Sequence, residues 1–201
     1  MTSPEPEVTL EDRPRPRRRR WRTVAAVLLA VVVCFCAVSV RLFIWPAAGM
    51  PAHVDAVVVL GGQGDRLGKG LTLVQQGRAP VLVVSEGLPI LVPASVCAAR
   101  DQSYKVICFQ PDPGTTQGEA EFVGRLGKRY GWHSVALITT PDQDTRARIR
   151  FDRCFAGQVY VVTTPLAASA WPHQIAYQWG ALFKALIVQR SCLSASQMVV
   201  S

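Results

Sequence analysis

Histidine is scarce in this chain, with three in 201 residues: His53, His133 and His173. The first two precede predicted strands, at the sheet end opposite any ligand crevice, and the third opens the last predicted helix. A Ser-His-Asp triad built on Ser85 would need a histidine that this topology does not supply. No CxxC pair and no Cys/His spacing suits zinc, which excludes a metal-thiolate site, and no metal is expected. Both common nucleotide loops are missing residues. A dinucleotide fingerprint starting at Gly62 needs a third glycine where Leu67 stands. A P-loop ending in Gly68-Lys69 needs glycine in place of Gln63 and Ser or Thr in place of Gly70. Neither NAD nor ATP follows, and no cofactor is assigned. No internal repeat is present.

Acidic residues are outnumbered, 14 against 22 Lys and Arg, which gives a net charge of +8. The surplus is uneven. Residues 1–22 hold seven Arg and four acidic residues, while residues 50–201 hold 14 basic and 10 acidic ones. A basic protein suggests nucleic acid. Here the cluster instead flanks Thr23–Val40, 18 residues without a charge, and reads as the cytoplasmic side of a membrane span. Trp21 and Trp45 sit at its ends as interfacial anchors. A cleaved signal peptide is the competing reading, with Ala47-Ala48-Gly49 as its cleavage site, but the apolar run is long for one. The chain therefore divides into a basic disordered tail (1–22), a signal-anchor helix (23–45), a linker (46–54) and an extracytoplasmic domain (55–201). The partners expected are the bilayer, through residues 23–45, and a small polar or phosphate-bearing ligand, with no nucleic acid. The location expected is the plasma membrane, single-pass, with the N-terminus inside.

Cysteine usage fits that topology. Cys34 and Cys36 lie in the span. Cys97, Cys108, Cys154 and Cys192 lie outside it, an even number that suggests disulfides. Three pairings are open. Cys97 with Cys108 would close a short loop, and Cys154 with Cys192 would tie the C-terminal tail to a helix.

Beyond the span, short apolar runs alternate with helical segments. The predicted strands are Asp55–Leu60, Val81–Ser85, Lys105–Phe109, Val135–Thr140 and Val159–Thr163. The predicted helices are Leu67–Gln76, Ser95–Asp101, Thr115–Tyr130, Asp142–Cys154 and Pro172–Gln189. The fold expected is α/β: a three-layer, doubly wound, mainly parallel five-stranded sheet of Rossmann-like type behind one transmembrane helix. Leu88–Pro93 reads as a buried apolar loop or a lid. In the last helix Ile175, Trp179, Leu182, Phe183 and Leu186 form a stripe read as core packing. Thr116 and Glu119 have the spacing of a capping box.

In such sheets ligands bind at the carboxyl ends of the strands. Gly61, Gly62 and Gly64 follow the first strand, and their backbone N–H groups are expected to face an anion. Arg66 and Arg146 would be its counter-charges. Ser85 and Gly87 end the second strand. Asp65, Glu86, Asp112, Glu119, Asp142 and Asp144 all fall at or just past strand ends, a pattern that suits general bases or a polar crevice. Arg150 and Arg153 read as a solvated helix face.

Four blocks together resemble one family: the strand with Gly61-Gly62 and Arg66; Val-Val-Ser85-x-Gly87; Thr115-Thr116-x-Gly118-Glu119-Ala120; and Ile-Thr139-Thr140 with Arg146-Ala147. In order and spacing they resemble the YdcF-like domain (domain of unknown function family 218, with its SanA and ElyC branches), over about Asp55–Thr163. The resemblance implies a membrane-anchored protein of cell-envelope biogenesis, either a hydrolase or transferase or, alternatively, a non-catalytic ligand-binding or scaffold protein. If the domain is an enzyme, Glu119 or Asp65 is the candidate base, and Ser85, Thr116, Glu119 and Thr140 would orient the ligand. Two departures stand out. The acid lies one place later than the family pattern, at Glu119, and the usual histidine is Gln143.

Overall fold

The computed structural model describes residues 16–87, 92–98 and 103–192. The chain forms two compact units, Met1–Val38 and Ser39–Ser201. Helix α1 (Pro16–Ser39) dominates the first, and its side chains from Arg20 to Val38 are exposed. The helical segment Arg20–Ile44 has 25 residues, and its most apolar 18-residue window has a mean hydropathy of 2.8. At about 1.5 Å per residue that is long and apolar enough to cross a bilayer. Cys34 and Cys36 are free on this helix.

The second unit starts sooner than the sequence suggests. A π-helical turn, Val40–Ile44, puts Phe43 at 1% exposure, edge-on to Trp179 at 5.5 Å. The Trp179 indole N–H donates to Ser39 Oγ at 3.1 Å, and Thr145 Oγ1 donates to the Leu42 carbonyl at 2.8 Å. Residues 46–54, expected as a linker, are held to the domain. Gly49 N–H donates to the Val161 carbonyl at 2.8 Å, Arg78 donates to the carbonyls of Pro51 and Ala52, and Val54 is buried. Short apolar residues between prolines read as a tether in sequence, but here they supply edge pairing and core contacts.

Among the described residues, five strands form one parallel sheet in the order β3-β2-β1-β4-β5. They are β1 (Ala56–Val59), β2 (Val81–Ser85), β3 (Lys105–Phe109), β4 (Ser134–Thr139) and β5 (Gln158–Thr163). The central strand is buried on both faces because helices cover both. Val57 and Val59 pack with Leu73 and Val74 of α2 (Arg66–Gln75). Val58 and Leu60 face the other way, toward Ala120 and Val123 of α4 (Thr116–Tyr130) and Ala147 and Phe151 of α5 (Pro141–Cys154). Burying each such Val or Leu stabilises the fold by about 1.5–3 kcal/mol, and β1, buried at every position, gains this on both faces as a central parallel strand does. The chain winds outward from β1 to β3, then returns to place β4 beside β1. The switch point, where a crevice opens, therefore lies above the carboxyl ends of β1 and β4.

The short helix α3 (Ala94–Ala98) starts where expected, but its predicted end at Asp101, and Leu88–Leu91 of the apolar loop, lie outside the described residues. The last helix, α6 (Trp171–Ile187), departs from its predicted stripe. Gln178, Leu182 and Ala185 are buried, while Phe183 and Leu186 are 64% and 43% exposed. A buried glutamine turned the helix: Gln178 Nε2 donates to Asp142 Oδ2 at 2.8 Å, tying α6 to the first turn of α5. Two disulfides close, Cys97–Cys108 and Cys154–Cys192.

Candidate functional site

A cleft of about 340 Å³ opens at the switch point, at the small end of the range for ligand pockets. Every strand end around it contributes. Gly61, Gly62 and Gln63 come from the turn after β1, Gly87 from β2, Pro111 and Gly114–Thr116 from the loop after β3, and Gln143 and Arg146 from α5. Glu119 lies at its floor, and His173, Gln174 and Tyr177 of α6 form the remaining wall.

Glu119 reaches the cleft because α4 starts at a different residue from the one expected. The N-cap is Thr115, whose hydroxyl accepts from Gly118 N–H. The box predicted from Thr116 to Glu119 does not form. Glu119, one place beyond the third helical position, turns instead to the glycine turn, where its Oε1 accepts from Gly61 N–H at 2.6 Å. The Ser85 hydroxyl is a further hydrogen-bond partner. The carboxyl is 4% exposed. Burial pushes its pKa above the ordinary 4.5, against the Gly61 N–H, the Ser85 hydroxyl and the charges of Arg66 and Arg146. A buried carboxyl whose pKa is raised, facing a cleft, is placed to exchange a proton with a ligand.

The adjoining loop fixes this geometry. A Cβ on Gly118 would stand 2.1 Å from the Pro113 carbonyl oxygen. Alanine ordinarily gains about 1 kcal/mol over glycine inside a helix. Here the clash is the larger effect, and Gly118→Ala is expected to lower stability by about 1–3 kcal/mol in thermal or denaturant unfolding.

Arg66 is not at the rim. It is 0% exposed, the largest fully buried side chain among the described residues. Its guanidinium lies under the glycine turn and donates to the carbonyls of Leu60, Gly61 and Gln63, at 3.3, 2.5 and 2.7 Å. It also donates to Thr140 Oγ1 at 3.0 Å and Gln143 Oε1 at 3.4 Å. Burial pulls its pKa down to about 10, opposed by Glu119 and Asp142, and it remains a cation at neutral pH. Gly62 meets it closely: the backbone is at φ +134°, and a Cβ there would lie 2.6 Å from the guanidinium. Arg66 thus builds the turn from below, and Thr140, 1% exposed, helps to hold it.

Of the two arginines expected at the rim, Arg146 is the one that lines the cleft. It lies 6.0 Å over the Tyr177 ring, and its Nε is buried without a hydrogen-bond partner among the described residues. Burial lowers its pKa, with Tyr177, Glu119 and Asp142 opposing. Of the other expected residues, Gly61, Gly62, Gly87, Thr116, Glu119 and Gln143 line the cleft as well. The Gly61 N–H, however, already faces Glu119 instead of open space. Ser85 supports Glu119 from behind. Gly64 is exposed beside Thr164 and lines no part of the cleft.

Asp65 is exposed and caps α2, accepting from Gly68 N–H at 3.0 Å, so it is a helix cap away from the base's position. The other carboxylates do not converge either. Asp144 pairs with Arg148 at 2.6 Å, Asp142 binds Gln178, and Asp112 is exposed. Glu86 lies near Cys97 and Cys108, whose sulfurs are joined to each other.

His173, Gln174 and Tyr177 were missed as site residues. In sequence they open a helix that reads as packing, and only the return of α6 over the switch point brings them in. Gln143 stands where the YdcF-like pattern has histidine, and its Oε1 accepts from Arg66 and from Thr139 Oγ1. No protein-family model, curated protein or solved structure matches the chain.

Proposed function

We propose that the chain is a YdcF-like protein of the cell envelope whose cleft binds a polar, anionic ligand and acts on it as a hydrolase or transferase, with Glu119 as acid–base. The observation that carries this reading is Glu119 itself: a buried carboxyl on a backbone N–H, at a switch-point cleft, with Arg146 at the wall holding an unpartnered Nε. The groups that surround a reacting phosphate or acyl centre are thus present: a proton carrier, a cation and hydroxyls from Thr115 and Thr116. The arginine-rich tail sets the orientation, with the N-terminus cytoplasmic and the domain outside the plasma membrane. Two disulfides in the domain suit an oxidising compartment.

A non-catalytic binder is the second reading. Gln143 favours it, because an amide in the histidine's place cannot transfer a proton. Thermal stability of the full chain in detergent, scanned against nucleotides, sugar phosphates, lipid-carrier head groups and divalent ions, tests ligand binding. A ligand at 100 times its Kd adds about 2.7 kcal/mol, a shift of several degrees. The expected hit disappears in Arg146→Ala. Turnover of that hit, absent in Glu119→Gln, separates enzyme from binder, and a panel without any hit rejects both.

A further inference from the structure

A second cavity, of about 440 Å³, adjoins the cleft. Thr115, Thr116, Arg146 and Tyr177 line both, so the two are neighbours across one wall. Arg150 from α5 and Lys184 from α6 complete a cationic lining. The sequence marks Arg150 as a solvated position, but it is 5% exposed. Its terminal nitrogens donate to two neutral amides, Gln117 Oε1 at 3.3 Å and Gln189 Oε1. Its Nε is buried with no partner among the described residues, as is that of Arg146. Arg153 brings a third guanidinium close and is occupied with the carbonyls of Ala185 and Gln189. Glu121 is the carboxylate facing this group.

A buried arginine is ordinarily compensated by carboxylates, because an uncompensated charge costs several kcal/mol. Here guanidinium, guanidinium and ammonium line one space whose lining holds no carboxylate, and the amides around Arg150 orient it without cancelling its charge. Burial and the repulsion of Arg146 and Arg153 lower the Arg150 pKa and the Glu121 carboxylate opposes them, while Glu119 and Asp142 act on Arg146 from the side of the first cleft. The N-cap and first residue of α4, a 15-residue helix, turn the positive end of its dipole to the same space.

We propose that this second cavity is a phosphate subsite, holding a phosphoryl or pyrophosphoryl group between Arg146, Arg150 and Lys184 while the reacting end of the same molecule lies beside Glu119. This rests on the cleft being the ligand site, and it narrows the ligand to an organic phosphate with the bond to be attacked a few ångströms from an anionic group. Arg146, on the shared wall, would contact both parts.

The test uses the full chain in detergent, with inorganic phosphate, pyrophosphate and a short-chain phosphatidic acid as probes, and unfolding temperature and direct titration as readouts. Binding of any of them with a Kd that rises about tenfold in Lys184→Gln, the loss of one charge-assisted contact, is the expected result. Lys184 is exposed, so this variant folds. Arg150→Gln should weaken binding further, and Lys128→Gln, exposed in the last turn of α4 and outside both cavities, should leave it within about twofold. Tighter binding of phosphatidic acid identifies a lipid headgroup, and tighter binding of pyrophosphate a soluble source. Binding that ignores both Lys184→Gln and Arg150→Gln places the anion in the first cleft and overturns the subsite while the cleft reading stands. No binding of any probe, in a protein that still binds another ligand through Arg146, overturns it too.

Discussion

Arg66→Ala is expected to destabilise the domain by about 3–5 kcal/mol, which lowers its unfolding temperature by roughly 6–20 °C. The exposed arginines on this chain give no such effect. A surface charge makes contacts worth about 1 kcal/mol or less. Arg66 has no solvent to return to, and five oxygens are arranged around its guanidinium. Removing it leaves the carbonyls of Leu60, Gly61 and Gln63 without that donor and opens a void beneath the turn. Arg66→Lys keeps the charge but not the fork of donors, and should fall between alanine and wild type. Urea unfolding of all three settles the order. An alanine variant within about 1 kcal/mol of wild type would mean that the glycine turn holds itself up.

Glu119→Gln is expected to separate function from stability. Any turnover should drop by about 10²–10⁴, the usual contribution of a positioned proton carrier. Stability should move the other way as pH rises. The folded state holds the Glu119 proton more tightly than the unfolded chain does, since burial raises its pKa above 4.5. The contribution of this group is therefore fully present below about 4.5 and is lost as pH climbs toward the raised value. Over that window the loss approaches about 1.4 kcal/mol per pH unit. Glutamine does not titrate, and its amide oxygen can still accept from Gly61 N–H. The wild-type stability minus that of Glu119→Gln should thus fall as pH rises above about 4.5. A difference that stays flat with pH would show that the carboxyl is ionised in the folded state across that range.

The sheet was readable in the sequence because its signal is one-dimensional. Val57–Val59 are apolar without alternation, and Gly61-Gly62 follow at once, so strand and turn announce themselves. The cleft was readable for the same reason: strand ends follow from strands. What could not be read was which polar residues turn inward. Arg66, Arg150 and Gln178 look like surface residues because a charge or amide is assigned to solvent by default. Each is buried by partners 33 or more positions away: Thr140 for Arg66, Gln117 for Arg150, Asp142 for Gln178. His173 and Tyr177 were missed by the same blindness to return paths. The capping residue of α4 shows how small an offset matters, since moving the start from Thr116 to Thr115 releases Glu119 from a helix end to the cleft floor.

The turn at Val40–Ile44 bears on how the domain is made and released. A processing enzyme cutting at Ala47-Ala48-Gly49 would strip away Ser39–Trp45. The secreted remainder would lose the Phe43 side chain from its interior, the Ser39 partner of Trp179 and the Leu42 partner of Thr145. Loss of one buried phenylalanine alone costs about 3–5 kcal/mol. A cut there would therefore remove part of the domain's own core along with the apolar helix, and the shortened domain is expected to unfold at a lower temperature than the full chain.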